Sequence, residues 1–246
     1  LTRHLPPLDG MGGHERKIAG EDVELYAEDV LSSLRDSDGV ADAEFSVDQI
    51  DFSKMTDGGA KGGSKMLFTN NKKYIIKELS SQDHQYLSTI SKQYVEYIKG
   101  NPRSLLTRFY YHFRRKSDQK NYVVMNSWLP HHALDELYDL KGCRDDKTMV
   151  MGGAKVPQVH KRFFMLHWLA AEACCAAPAV PAGRSSYRLG KEGAFKKEFL
   201  LTAEQCEAVV KVVEEDVGFL RKVEVMDYSL LVGTVRLPAG EGGAAP

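Results

Sequence analysis

Asp227 stands directly before a short apolar run, in Val225-Met226-Asp227-Tyr228-Ser229-Leu230-Leu231-Val232-Gly233. Tyr228 to Val232 reads as a buried strand. Asp227 then sits at its mouth, at the end of a helix-to-strand turn. A carboxylate fixed there and open to a cleft suits a general base, or a group that orients a hydroxyl nucleophile. The plainer account of this spacing is an aspartate bonding its own backbone in a turn. A second candidate lies upstream. Gly58-Gly59-Ala60-Lys61-Gly62-Gly63-Ser64 precedes Ile75-Ile76-Lys77. Glycines let backbone N–H groups approach phosphate oxygens, and a strand lysine can neutralise them. Lys77 follows two β-branched residues, so its stem packs while its head reaches a cleft. The competing account is a flexible linker followed by a solvated edge lysine, and a glycine cluster alone is a weak motif.

Several elements must hold these groups. Residues 1–16 are Pro/Gly-rich and read as loose. Val23, Leu25, Tyr26, Val30, Leu31 and Leu34 form a helical stripe over Glu21–Arg35. Met66–Thr69 and Tyr74–Leu79 read as a hairpin joined through Asn70-Asn71-Lys72. Ser80–Lys99 is the best-marked helix, with Ser80 and Asp83 as a capping box and Gly100 and Pro102 as stops. Phe109–Phe113 and Tyr122–Met125 read as strands. Gly142–Lys191 is the least orderly stretch, expected to hold one short helix between flexible flanks. Thr202–Leu220 reads as a helix capped by Thr202 and Gln205, with Cys206, Val209, Val210, Val213, Val217 and Leu220 as its buried stripe. Strands and helices do not alternate regularly, which predicts an α+β fold.

Bulk properties narrow the function. The chain has 246 residues, 43% hydrophobic and 27% charged, an ordinary globular balance. A formal charge of −1 gives no global field for nucleic acid. Attraction to an anionic membrane would need a local patch, for which Arg114, Arg115 and Lys116 are the candidates, as side chains facing solvent or headgroups. The four cysteines (Cys143, Cys174, Cys175 and Cys206) lack zinc spacing and read as reduced thiols of an intracellular protein. The His131-His132 pair reads as a solvated turn. Phe163–Ala182, the most apolar stretch, is expected not to span a bilayer, and the N-terminus does not read as a signal peptide.

MDYSLLVG resembles a hallmark of the phosphatidylinositol phosphate kinases. Tyr138-Asp139-Leu140-Lys141-Gly142 resembles that family's DLKG motif, and Tyr122-Val123-Val124-Met125-Asn126 its strand-to-hinge segment. The likeness covers roughly residues 40–142 and 190–235, in the family's order. It implies a kinase-like, two-lobed α+β fold with antiparallel sheets. The core would run over 17–236, with an N-lobe over about 17–125, a partial C-lobe over 126–236, a poorly ordered insert over about 143–190 and a tail at 237–246. The implied reaction moves the ATP γ-phosphoryl group to an inositol hydroxyl of a membrane phosphoinositide, with Mg²⁺. Lys77 and Lys141 would hold phosphates, helped by Gly62, Gly63 and Ser64. Met125 and Asn126 would receive adenine through backbone, and Asp227 would serve the hydroxyl. Lys147 stands where the family carries an arginine; it keeps the charge and loses the fork. The resemblance places the protein in the cytoplasm, peripheral at an anionic membrane, and leaves room for a homodimer.

Three departures set further expectations. The family's metal-binding aspartate and lysine-rich loop downstream of MDYSLL are not matched after Gly233. Lys155–Gly190 matches nothing in the family. The helix after Lys77 offers Asp83 rather than a glutamate, so no lysine–glutamate pair is assigned. The chain by itself is therefore expected to turn over little, with Asp145, Asp146 and Asp216 as the remaining carboxylates. The alternative is a non-catalytic nucleotide- or phosphoinositide-binding module, or a scaffold.

Overall fold

The structure is a computed structural model and describes residues 14–57, 64–128, 134–142, 146–156, 198–226 and 228–235. The chain divides into two compact units. One comprises 1–128 with 203–224; the other comprises 129–202 with 225–246.

The first unit is built on a seven-stranded antiparallel sheet. Its strands are β1 (His14–Ile18), β2 (Glu21–Leu25), β3 (Thr56–Asp57), β4 (Lys65–Phe68), β5 (Tyr74–Leu79), β6 (Phe109–Arg115) and β7 (Asn121–Asn126). Their order is β1-β2-β6-β7-β5-β4-β3. β5 is an inner strand: Tyr74, Ile75 and Ile76 are all buried, so both of its faces are covered. Register puts Lys77, Val123 and His112 on one face. Tyr74, Tyr111, Phe113 and Tyr122 lie on the other, where Phe45 packs edge-on to Tyr111 and Phe52 meets Phe113 and Tyr122.

Helix α1 (Glu28–Asp38) ends on Gly39, whose φ of 67° is the left-handed cap that glycine allows cheaply. Beyond the end of β2, α1 covers the edge of β6. Arg35, 4% exposed, pairs with Glu28, donates to the Tyr110 carbonyl at 2.7 Å and stacks over Tyr111. An edge carbonyl buried without water thus finds a charged donor. Helix α2 (Ser81–Gly100) starts as the sequence predicts: the Ser80 hydroxyl accepts from the Asp83 N–H at 3.1 Å. It docks on the Lys77 face through Tyr94, whose ring packs tilted against Phe109, and His84, which bonds His112. Helix α3 (Ala203–Lys222) is also confirmed and belongs to this unit.

The second unit holds a four-stranded antiparallel sheet, order β10-β9-β8-β11. Its strands are β8 (Glu136–Leu140), β9 (Lys147–Met151), β10 (Ala154–Lys155) and β11 (Leu230–Thr234).

Five expectations need correction. His14–Arg16 is strand, not loose chain. Glu21–Leu25 is strand as well: Val23 and Leu25 suit a period of two as well as a helical stripe, and Ala27 at φ 51° separates the two elements. Lys147–Lys155 is a β-hairpin rather than part of a poorly ordered insert, its turn made by Gly152 and Gly153 at positive φ. The stripe on α3 is not buried: Val209 and Val210 are about half exposed, and only Asp216 and Phe219 are buried. Finally, β11 is an edge strand with Leu230 and Leu231 exposed, not a buried one, because among the described residues it pairs on one side only.

The tail at 237–246, the short helix expected near Phe163–Ala182, His131, His132, Cys143, Cys174 and Cys175 lie outside the described residues. Cys206 is exposed. No described helix is long and apolar enough to cross a membrane.

Candidate active site

In the first unit, β3 and β4 pair as Thr56↔Met66 and Asp57↔Lys65, so they flank the glycine cluster as two arms of a hairpin. Gly62 and Gly63 lie outside the described residues. Ser64 is half-buried and leads into β4. Lys77 sits between Met66 on β4 and Val123 on β7. It is half-buried, and its ammonium makes no hydrogen bond or ion pair with a described residue. Ile75 and Ile76, 5% and 0% exposed, anchor the strand that carries it. The carboxylates nearest in sequence are committed elsewhere: Asp83 to the Ser80 cap, Glu78 to Lys120. An ammonium held on a rigid inner strand without a counter-ion is suited to an external anion.

Met125 is opposite Ile75, and Asn126 opposite Tyr74, at the end of β7. The segment beyond is tied down, since the Ser127 N–H donates to the Lys73 carbonyl at 2.7 Å. Asn126 exchanges hydrogen bonds with Arg108 through both main chain and side chain. The sequence points only to its backbone, and the structure adds this side-chain role. The available signal is the residue type, because asparagine readily bonds nearby backbone.

His112 lies on the Lys77 face, opposite the same Val123, with a ring nitrogen 2.8 Å from His84. It is fully buried, and burial together with the neighbouring His84 pushes its pKa down to about 3. Burial and the nearby Arg114 cation lower that of His84. Both shifts favour the neutral ring on the face that carries Lys77.

In the second unit, β8 carries Asp139 and leads into Lys141. The turn is made by Gly142 at φ 69°, and the Lys141 N–H donates to Asp146 Oδ1 at 2.6 Å. Lys147 is the cross-strand neighbour of Asp139, with its ammonium 4.0 Å from the carboxylate. It therefore faces a carboxylate rather than standing as an isolated cation. Pairing of Leu230 with Leu140 and Leu231 with Asp139 puts the start of β11 beside the end of β8. Asp227 itself lies outside the described residues, as do Cys143 and Asp145.

Asp216 is not available as a metal ligand. It is buried and accepts from the Tyr97 hydroxyl, the Ser104 hydroxyl and the Leu105 N–H at 2.6–2.8 Å. Asp146 is engaged by the Lys141 N–H. Among the described residues no group of three acidic, histidine or cysteine side chains could hold a metal.

The expected membrane patch is also changed. Arg115 is largely buried, pairs with Asp118 and stacks over Phe52; Lys116 pairs with Glu15; Arg114 is half-buried. Arg115 therefore serves the fold, while Lys116, just past the end of β6, stays exposed.

A family model described as phosphatidylinositol-4-phosphate 5-kinase matches residues 48–243. The chain is similar to a phosphatidylinositol 4-phosphate 5-kinase of Schizosaccharomyces pombe, 28% identical over 188 residues, covering 75% of this chain and 22% of that protein. It is similar to a probable phosphatidylinositol phosphate kinase of Dictyostelium discoideum, 28% identical over 177 residues, covering 70% of this chain and 21% of the relative. A phosphatidylinositol 5-phosphate 4-kinase type-2 gamma of Danio rerio is 26% identical over 222 residues, covering 88% of this chain and 46% of the relative. The chain thus spans less than half the length of these relatives.

Proposed function

The chain belongs to the phosphatidylinositol-4-phosphate 5-kinase family, and we propose that it takes part in transferring the ATP γ-phosphoryl group to an inositol hydroxyl of a membrane phosphatidylinositol phosphate. The observation that carries this reading is Lys77, an ammonium without a described counter-ion on an inner strand beside the glycine-flanking hairpin. In this reading Lys77 binds phosphate oxygens, and the backbone from Gly62 to Ser64 covers them. The exit of β7 at Met125 and Asn126 seats the adenine. Lys141 supplies a second cation to the phosphates. Lys147 meets the lipid phosphate, its charge shared with Asp139. Asp227 accepts the proton of the attacking hydroxyl or orients that hydroxyl.

Mg²⁺ would arrive with the nucleotide and would supply charge neutralisation to the transferring group. Asp146 and Asp216 have other partners in the fold, so neither is assigned to it. The lipid acceptor implies a cytoplasmic protein working peripherally at an anionic membrane.

The test is transfer of label from γ-labelled ATP to phosphatidylinositol 4-phosphate or 5-phosphate in vesicles, with saturating Mg²⁺. A labelled bisphosphate product confirms the reading. ATP binding without product assigns the chain instead as a nucleotide-binding, non-catalytic relative. Absence of both overturns the nucleotide site.

A further inference from the structure

Asn126 ends β7, where the nucleotide reading above seats the adenine ring. Its N–H donates to the Arg108 carbonyl at 3.0 Å. In a regular antiparallel hydrogen-bonded pair, the Arg108 N–H would return to the main-chain carbonyl of Asn126. It donates instead to the Asn126 carboxamide oxygen, Oδ1, at 2.7 Å. The side chain has taken the carbonyl's place in the ladder. Strand β5 does not replace Arg108: Tyr74, opposite Asn126, gives its N–H to the Thr69 hydroxyl at 3.1 Å. Arg108 is itself braced. Its Nε lies 3.1 Å from Asp38 and it donates to the Pro102 carbonyl at 3.0 Å, while the Tyr110 hydroxyl holds Asp38 at 3.0 Å. The substitution of side chain for main chain is thus built into a fixed network rather than left to a mobile loop.

We propose that Asn126 is a positioning residue for base recognition. By occupying the Arg108 N–H, its carboxamide releases the main-chain carbonyl of Asn126 to accept a hydrogen bond from the exocyclic amino group of adenine. The inference rests on the nucleotide reading, and it adds the side chain that frees the carbonyl for the base. A 6-amino purine offers the donor this carbonyl needs. A purine with hydrogen at that position offers none, and one with a carbonyl there, as in guanine, sets two acceptors against each other.

Calorimetry with ATP and with purine riboside triphosphate, which lacks only the 6-amino group, tests this on the full chain. The wild-type protein is expected to prefer ATP by roughly five- to tenfold, the worth of one net hydrogen bond. In Asn126→Ala the Arg108 N–H returns to the main-chain carbonyl, and the preference falls below about twofold while both nucleotides still bind through their phosphates. Asn126→Asp keeps an acceptor for Arg108 and restores the preference. In the wild-type protein, the ¹³C resonance of the Asn126 carbonyl moves on addition of ATP and not on addition of the analogue, a readout independent of any variant. A purely structural role would weaken both nucleotides equally in Asn126→Ala. That result, an unmoved carbonyl resonance, or a wild-type protein that binds both nucleotides alike overturns the inference and leaves the nucleotide site standing. Binding of neither nucleotide overturns the nucleotide site itself.

Discussion

Leu230 stands opposite Leu140 in the β8–β11 ladder, and through that pair two segments far apart in the chain become neighbours. The strand leaving MDYSLL begins beside the strand that ends in DLKG. Register therefore fixes which motif ends meet, because a slip of one residue would turn every side chain to the opposite face.

The proposed division of labour gives Asp227 and Lys141 different kinetic signatures. Asp227→Asn keeps size and loses basicity, so product formation should fall by about 100-fold or more, the usual worth of a general base. ATP affinity should stay within about twofold, because the acceptor hydroxyl rather than the nucleotide is its target. Lys141→Met should instead weaken ATP. The two are separated by measuring KM for ATP and kcat on the same preparations; an Asp227→Asn protein with wild-type kcat removes the residue from the chemistry.

Lys77→Met should lower ATP affinity by more than about tenfold, since a charge-assisted contact to phosphate is lost. Stability should change little, within about 0.5 kcal/mol, because no described residue loses a partner. Calorimetric titration beside urea unfolding checks both halves. Unchanged ATP affinity in a folded variant would exclude Lys77 as the phosphate ligand.

Burial of His112 against His84 makes stability depend on pH. His112 has a folded pKa of about 3, below its ordinary 6.5. Its contribution is fully present above pH 6.5 and is lost as pH falls from 6.5 toward 3. Between pH 6 and 4.5, urea-unfolding free energy should decline by about 1.4 kcal/mol per pH unit from this residue. Depressed carboxylates such as Asp42 and Asp118 keep their contribution until the pH approaches about 4 and lose it below that. His112→Gln should flatten the slope even if it lowers the stability itself. An equal slope in the two proteins would mean that His112 is protonated in the folded state.

What could be read from the sequence followed from how local its cause was. Ser80 with Asp83 specified the start of α2, and Asn70-Asn71-Lys72 the β4–β5 turn, through contacts within a few residues. Lys77 was placed correctly on a strand because Ile75 and Ile76 precede it. Tertiary partners were not legible. Val23 and Leu25 fit a helix or a strand until β6 chose, and α3 carried an apolar stripe that its neighbours do not cover. Arg115 looked like a membrane contact because nothing local revealed Phe52 stacked beneath it. The sequence marks Asn126 for its backbone, while Arg108, whose N–H its side chain receives, becomes its neighbour only through the pairing of β6 with β7.

Asp216 is the clearest case of a residue whose role comes from distant partners, and it yields the last prediction. It is 5% exposed on α3 and accepts the Leu105 N–H at 2.7 Å, the Tyr97 hydroxyl at 2.8 Å and the Ser104 hydroxyl at 2.6 Å. Beside it Phe219 stacks on Tyr97 with ring centroids 4.2 Å apart. These contacts join α3 to the end of α2 and to the loop before β6. Asp216→Ala leaves three donors without an acceptor, one of them a backbone N–H, and should cost about 3 kcal/mol. Asp216→Asn keeps one acceptor oxygen and loses the charge, so it should fall between Asp216→Ala and wild type. Urea unfolding gives the ranking, and exchange of the Leu105 amide gives the location, with its protection dropping first. An Asp216→Ala protein as stable as wild type, with Leu105 still protected, would show that Asp216 does not anchor α3 and would return its carboxylate to the candidates for metal binding.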